Sequence, residues 1–471
     1  MGTIYDKSNS GLRSACLPNT ELILEGLKEK IPGSLLRTKP ADLPEMSEQE
    51  IVRHYTNLSY QAHGVDNGAY PLGSCTMKYN PKRHERWASF DGFKNCHPSQ
   101  PSAGLQGTLE LMYDLQSDLG EITGMDAFSL TPAAGAHGEW AGLLIAKKYF
   151  AKRKEKRHTI LVPDSAHGTN PSSASMAGYK CQLVPTTVEG LFDLERYQNL
   201  LNKDVAVIMM TNPSTFGLWE KNITTIAKLA KENGSLLYYD GANLNALMGI
   251  VRPGDMGFDI VHVNTHKTFS TPHGGGGPGA GPIGVRYFLK NYLPEKVVGK
   301  SENGMFFWAI NSDSIGKIKA YWGHVLVLLK AYSYIKSLGP VGLKKVSENA
   351  ILNANYLQAG LKKYFPPVFD SYCMHECLLS GERLNTTITS FAKRLIDYNI
   401  HPPTMLGAGC VYYPGNLKSA MLIEPTETES KERLDEIITG FIRVFDECLE
   451  RADFVESAPY STKVSKILKE D

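Results

Sequence analysis

A lysine, an aspartate and a histidine each stand just past an apolar segment of this 471-residue chain. Asp240 follows residues 235–239 and leads into Gly241, Ala242 and Asn243. Lys267 follows residues 260–263, after Asn264, Thr265 and His266, and His167 follows residues 159–163. A lysine closing a buried strand is costly unless its amine is paired, titrated or used covalently. An acid just past an apolar strand lies at the strand's carboxyl end, where open parallel sheets bind ligands. A fourth segment, 127–130, feeds Thr131, Pro132, Ala133, Ala134, Gly135 and Ala136, and then a helix expected at 140–150. Small residues at a helix start expose free amides and the positive dipole end, a phosphate cradle that needs no basic side chain. Read alone, each has an ordinary alternative: a surface lysine, a turn aspartate, a core histidine, a small-residue turn.

Downstream of Lys267, His273 opens a run of four glycines closed by Pro278 and Gly279. A P-loop requires Gly-Lys-Ser/Thr at its end, and a dinucleotide site requires a following helix with an acid about 20 residues on; the run has neither. Glycines here let backbone approach a ligand or a neighbouring subunit.

The segments that must position these groups read as strands 127–130, 159–163, 182–185, 205–210, 235–239 and 260–263, alternating with helices such as 223–232. That alternation predicts a mainly parallel sheet covered on both faces. It belongs to an α/β domain over 101–330, which opens on a helical stripe of Leu105, Leu109, Met112, Leu115, Leu119 and Ile122. Residues 1–100 read as a loop-rich arm with helices at 21–31 and after Ser47, where Ser47 and Glu50 form a capping box. The irregular stretch 68–81 reads as a structured binding loop. Residues 331–471 read as a smaller α+β domain. Its expected elements are a helix through Leu352, Tyr356 and Leu361, strands near 386–391 and 420–423, and a closing helix striped by Leu434, Ile437, Phe441 and Phe445. The basic run 152–157 is expected to be a solvated turn.

With 50 basic and 49 acidic residues the net charge is +1, so no global field favours nucleic acid or an anionic membrane. The longest apolar runs, 205–210 and 305–310, fall far short of the ~20 residues a spanning helix needs. The amino terminus lacks the basic-then-apolar layout of a secretory signal, and Asp6 stands where a myristoylation motif wants Ser or Thr. Eight cysteines are too few for a disulfide scaffold; Cys373 and Cys377 flank His375, but no second pair sits at zinc-finger spacing, so no metal is expected. These features predict a cytoplasmic protein.

Taken together, the cradle, the histidine, the acid and the lysine, in that order, resemble a pyridoxal phosphate enzyme of the aspartate-aminotransferase fold type. Longer motifs narrow the resemblance: YPLGSCTMKYNP at 70–81, DSAHGTNP at 164–171, HKTF at 266–269, the 273–281 run, and IEPTETES at 423–430. These are similar to the glycine decarboxylase (P-protein) family over roughly residues 60–430, and to the second, cofactor-bearing chain of its two-subunit form. The resemblance implies that Lys267 carries the cofactor as a Schiff base, Asp240 keeps its ring nitrogen protonated and His167 stacks on the ring. It implies further that Gly135, Ala136 and Thr265 bind the phosphate, with Ala242 beside the cofactor. Ser74, Cys75 and Thr76 would line the mouth or bind substrate, and Lys267, His266 or His273 would move protons. The implied reaction is loss of carbon dioxide from glycine in a water-shielded pocket, with the aminomethyl group passing to the lipoyl arm of H-protein. The implied partner is the first glycine decarboxylase subunit, in an α2β2 heterotetramer. Rival readings are an aminotransferase or amino-acid decarboxylase of the same fold, or a non-catalytic scaffold. The 401–414 stretch keeps an HPPTM core and then reads LGAGC; it is assigned no role.

Overall fold

The computed structural model describes residues 2–14, 30–39, 41–274, 279–406, 417 and 419–462. The helix expected at 21–31 falls almost wholly outside them, as do residues 275–278 of the glycine run and the 407–414 part of the 401–414 stretch. The chain divides after Gly64. In the first part the helix Glu48–Ser59 starts where its capping box places it, with Ser47 Oγ accepting from Glu50 N at 3.3 Å. That bond satisfies an amide with no intrahelical acceptor. Residues 65–100, read from sequence as part of the arm, fall in the second part.

The second part is built on a seven-stranded sheet. Its strands are β1 (Ala127–Ser129), β2 (Thr159–Pro163), β3 (Lys180–Val184), β4 (Val205–Met210), β5 (Leu236–Gly241), β6 (Ile260–Val263) and β7 (Ile283–Val285). They lie in the order β1-β7-β6-β5-β4-β2-β3, and only β7 runs antiparallel to its neighbours. Every residue of β4, β5 and β6 is buried, as a parallel sheet covered on both faces requires. Alternate side chains divide between two apolar clusters: Leu161, Ile208, Tyr239 and Val261 on one face, Ile160, Val207, Tyr238 and Ile260 on the other. The outermost strand β3 is exposed along most of its length and begins with Lys180, a charge that discourages edge pairing. Strand β7 was not among those expected, because three residues straddling Gly284 show no period. That glycine leaves room for the Phe128 ring on the paired strand β1.

A two-stranded ribbon, β8 (Val297–Lys300) with β9 (Phe306–Ala309), leads into the long helix Val325–Leu361. This helix is broken at Gly339, with φ of 62°, followed by Pro340, which has no N–H to continue the ladder. A second sheet holds β10 (Cys377–Ser380), β11 (Thr404–Leu406) and β12 (Ala420–Ile423), antiparallel in the order β10-β12-β11. It packs on a core that includes Phe365, Phe391, Phe441 and Phe445, the last two from the closing helix Lys431–Glu450.

Two expectations are corrected. Residues 386–391 do not form a strand: Thr387 caps the helix Ile388–Ile396, accepting from Ser390 N, and buries Ile388, Phe391, Ala392 and Leu395 at helical spacing. The basic run is not wholly solvated. The Arg157 side chain is 6% exposed and donates to the carbonyls of Val205 at 2.7 Å and Asn233 at 3.1 Å.

Candidate active site

The carboxyl ends of β5 and β6 open into a cleft of about 120 Å3 whose lining includes Ser74, Ala136, His167, Asp240, Ala242 and Lys267. Two wider clefts, of about 860 and 750 Å3, hold none of these groups; chemistry, not volume, picks out the site. Register puts Asp240 opposite His262 on the neighbouring strand, so the acid and the loop bearing Lys267 leave the sheet side by side.

Asp240 is 5% exposed and well supplied with donors. Asn170 Nδ2 donates to Oδ2 at 2.8 Å and Ala242 N to Oδ1 at 3.0 Å, while His262 Nε2 lies 3.3 Å from Oδ1. Burial opposes ionisation, but the His262 ring, the Asn170 amide and the Ala242 N–H outweigh it and hold the carboxyl below its ordinary pKa. Behind it, Glu139 accepts from Thr169 Oγ1 at 2.8 Å and Ser173 Oγ at 2.9 Å; burial and then the Asp240 charge push its pKa up to about 7. The site therefore keeps one carboxylate firmly charged and a second near neutrality.

Lys267 Nζ reaches across the cleft and donates to the Ser74 carbonyl at 2.8 Å. His167 keeps an exposed edge towards the cleft, and its Nδ1 lies 3.0 Å from Thr169 Oγ1. Desolvation by the surrounding walls and then the Lys267 charge lower its pKa, leaving the ring neutral at physiological pH. Gly135 and Ala136 are the first two residues of the helix Gly135–Lys152, five residues earlier than expected. No side chain caps that helix, so its leading amides have no intrahelical acceptor and face the same cleft through Ala136.

The remaining sequence-predicted residues, Cys75, Thr76, His266, His273 and Thr265, are not among those that line this cleft. Cys75 Sγ is 3.5 Å from His273 Nε2, and the His266 and His273 rings meet edge to face at 5.1 Å. Desolvation lowers both histidines, His266 to about 3 and His273 to about 4, so both rings are neutral. Thr76 is fully buried and donates to Glu424 Oε1 at 2.6 Å. Thr265 does not line the cleft: it is fully buried, its N–H and hydroxyl both donating to Ala280 O, at 3.1 and 3.4 Å.

Sequence reading passed over Glu139, Asn170, His262, Asn264, Glu376 and Glu424. Glu139 stands one helical turn after Gly135, a spacing that could have brought it forward. Glu376 and Glu424 flank strands β10 and β12 of the second sheet, a juxtaposition no local pattern reveals.

Solved structures share this architecture. A crystal structure titled glycine decarboxylase (P-protein) of the glycine cleavage system, in inhibitor-bound form, aligns with a TM-score of 0.77 at 21% identity, over 91% of this chain and 100% of that one. A Lactobacillus brevis glutamate decarboxylase aligns with a TM-score of 0.67 at 12% identity, over 91% and 98%. At these identities the likeness concerns the fold, which is that of pyridoxal phosphate enzymes of the aspartate-aminotransferase type.

Residues 21–309 match the family described as glycine cleavage system P-protein, and residues 346–464 match the C-terminal domain of glycine dehydrogenase. A Caldanaerobacter subterraneus subsp. tengcongensis protein named "Probable glycine dehydrogenase (decarboxylating) subunit 2" is 51% identical over 98% of this chain and 95% of its own length. A Listeria monocytogenes protein of the same name is 49% identical over 99% and 95%. The chain belongs to the glycine cleavage system P-protein family; it is a glycine-decarboxylating enzyme with pyridoxal phosphate as cofactor.

The residues present fit that cofactor. The cleft combines a primary amine, a charged carboxylate and uncapped helix amides: an anchor, a partner for a ring nitrogen and a seat for a phosphate. Backbone lies close on the phosphate side. A Cβ at Gly135 would run into the Asn264 side chain, and one at Gly281 into the Ala134 carbonyl.

Proposed function

We propose that Lys267 anchors pyridoxal phosphate as a Schiff base, with Asp240 at the ring nitrogen, His167 on the ring face, and the amides of Gly135 and Ala136 at the phosphate. Ala242 supports this arrangement by fixing the Asp240 carboxylate through its N–H. When bound, the cofactor supplies an electron sink for the pair left behind as carbon dioxide departs from glycine. The chain's own residues make that sink effective. Asp240, held ionised by its neighbours, keeps a proton on the ring nitrogen beside it. His167, neutral, offers an aromatic face without adding positive charge. Lys267 has Ser74 O within 2.8 Å as an acceptor for its amine when it is free.

At the mouth, the Cys75–His273 pair, with His266 behind it and Thr76 fixed by Glu424, faces the incoming second substrate. That substrate is the lipoyl arm of H-protein, whose sulfur receives the aminomethyl group. The chain works with a first glycine decarboxylase subunit in an α2β2 heterotetramer in the cytoplasm; the "subunit 2" in its relatives' names supports the pairing. Among the described residues no helix is long and apolar enough to cross a membrane.

The observation that carries the reading is the placement of Lys267 and Asp240 at neighbouring strand ends on one cleft. The test is exchange of labelled bicarbonate into glycine by the chain with its first subunit and lipoylated H-protein. Exchange that requires all three is expected, together with a visible absorbance band that Lys267→Ala abolishes. A band that survives that substitution would refute the assignment of Lys267. Exchange independent of H-protein would refute the lipoyl step.

A further inference from the structure

Ser74 has a φ of 57°, in the left-handed region that side-chain-bearing residues avoid. Such a conformation persists only where its surroundings impose it. Two bonds hold this peptide from opposite sides. Its N–H donates to Glu376 Oε2 at 2.7 Å, and its carbonyl accepts from Lys267 Nζ at 2.8 Å. The residue before it is also tied down: Gly73 N donates to Leu422 O at 3.2 Å, and Thr404 Oγ1 to Gly73 O at 2.7 Å.

Glu376 is unusual in its own right. Its side chain is 4% exposed, yet among the described residues it has no lysine or arginine partner; the nearest cationic candidate is His375, with Nε2 at 3.4 Å from Oε1. Its backbone is gripped as well, since Met374 N donates to Gly217 O at 2.7 Å and a Cβ at Gly217 would strike the Glu376 carbonyl. The carboxylate is thus fixed at the edge of the cleft, aimed at one amide.

We propose that Glu376 is a positioning residue for Lys267: it clamps the Ser74 peptide in its left-handed conformation, so that the Ser74 carbonyl receives the lysine amine whenever that amine is free. This rests on the reading of Lys267 as the cofactor's anchor. The anchor must be released and re-formed in each turnover, and a flexible four-carbon amine needs an acceptor that keeps it in the cleft. No bond to Glu376 is made or broken; it acts through the backbone of Ser74.

The experiment uses the full-length protein, stripped of pyridoxal phosphate and then given it back, with recovery of the visible band followed in time. Glu376→Gln keeps an oxygen that accepts from the Ser74 N–H, and Glu376→Ala does not. Recovery in E376A is expected to be slower by about tenfold or more, and in E376Q to stay within about threefold of the unsubstituted protein. In glycine turnover, E376A lowers kcat and leaves the glycine KM within about threefold, because substrate binding is not what the clamp serves. Should E376A not fold, E376D is read in its place with the same expectation, since it withdraws the carboxylate by one methylene and keeps the charge. Recovery at the normal rate in E376A overturns the proposal, as does an E376Q variant as slow as E376A. A Lys267→Ala protein that still formed the band would instead remove the anchor reading itself, which separates the two failures.

Discussion

Lys78 provides a quantitative test of how the mouth loop is held. Its ammonium, with the side chain 1% exposed, donates to Glu427 Oε1 at 2.7 Å, to Thr268 O at 2.7 Å and to Tyr334 OH at 3.0 Å. Burial opposes the charge, but Glu427 more than offsets it, and the lysine pKa lies above its ordinary value. A raised lysine pKa means the stabilisation is fully present below the unfolded value of about 10.4, so the pair is intact throughout the physiological range. Lys78→Met keeps the aliphatic bulk but strands a buried carboxylate, a carbonyl and a hydroxyl. Removing one partner of a buried pair costs about 3–5 kcal/mol. The double variant K78M/E427Q removes the orphaned charge as well and leaves only neutral groups short of a donor, about 1–3 kcal/mol. The double variant should therefore be about 2 kcal/mol more stable than K78M alone. Urea unfolding measures this: at a slope of about 3 kcal/mol per molar, K78M should lower the midpoint by about 1 to 1.7 M and the double variant should recover part of that loss. A K78M midpoint within experimental error of the unsubstituted protein, or a double variant less stable than K78M, would refute the view of Lys78 as a charge pin.

Two further outcomes follow from the cofactor side of the cleft. Because the Glu139 carboxyl is raised to about 7, the folded chain keeps its proton where the unfolded chain, near 4.5, has lost it. Folding stability should fall as pH rises from about 4.5 to 7 on this account, and Glu139→Gln should flatten the stability–pH curve across that window; an unchanged slope would show that Glu139 is not protonated. Gly135→Ala should weaken pyridoxal phosphate binding by about 10- to 100-fold, because the new methyl meets Asn264 in a packed wall and overpacking of that kind costs about 1–3 kcal/mol. Equilibrium titration of the cofactor checks it, and an unaltered Kd would mean that Asn264 moves aside freely.

Long buried strands were the most legible part of the fold. Segments 159–163, 205–210 and 260–263 are mostly apolar, and the structure has strands with the same bounds. Short elements were not legible: β7 has three residues, and 386–391 looked strand-like because its β-branched residues concealed a period of 3.6 that continues to Leu395. At the site, residues at strand ends could be found because topology sends them to one edge. Lys267, Asp240 and His167 do share a cleft with Ser74, Ala136 and Ala242. The glutamates of the second sheet could not. A glutamate's type says nothing of its burial, and whether Glu376 or Glu424 reaches the cleft depends on how a second sheet docks beside the first. Thr265 shows the converse, a residue two positions before the key lysine in sequence whose hydroxyl is spent on the fold.

The register between β5 and β6 limits how this site can change over time. Asp240 faces His262 only because Tyr238 pairs with Ile260, and a one-residue insertion or deletion in either strand would present Tyr239 or Gly241 in place of the carboxylate. Length changes that a lineage can tolerate are therefore confined to the connection between the strands, while the strands themselves accept substitutions alone. Families that diverge from this arrangement can remodel what enters the cleft far more readily than the spacing of the two groups at its floor.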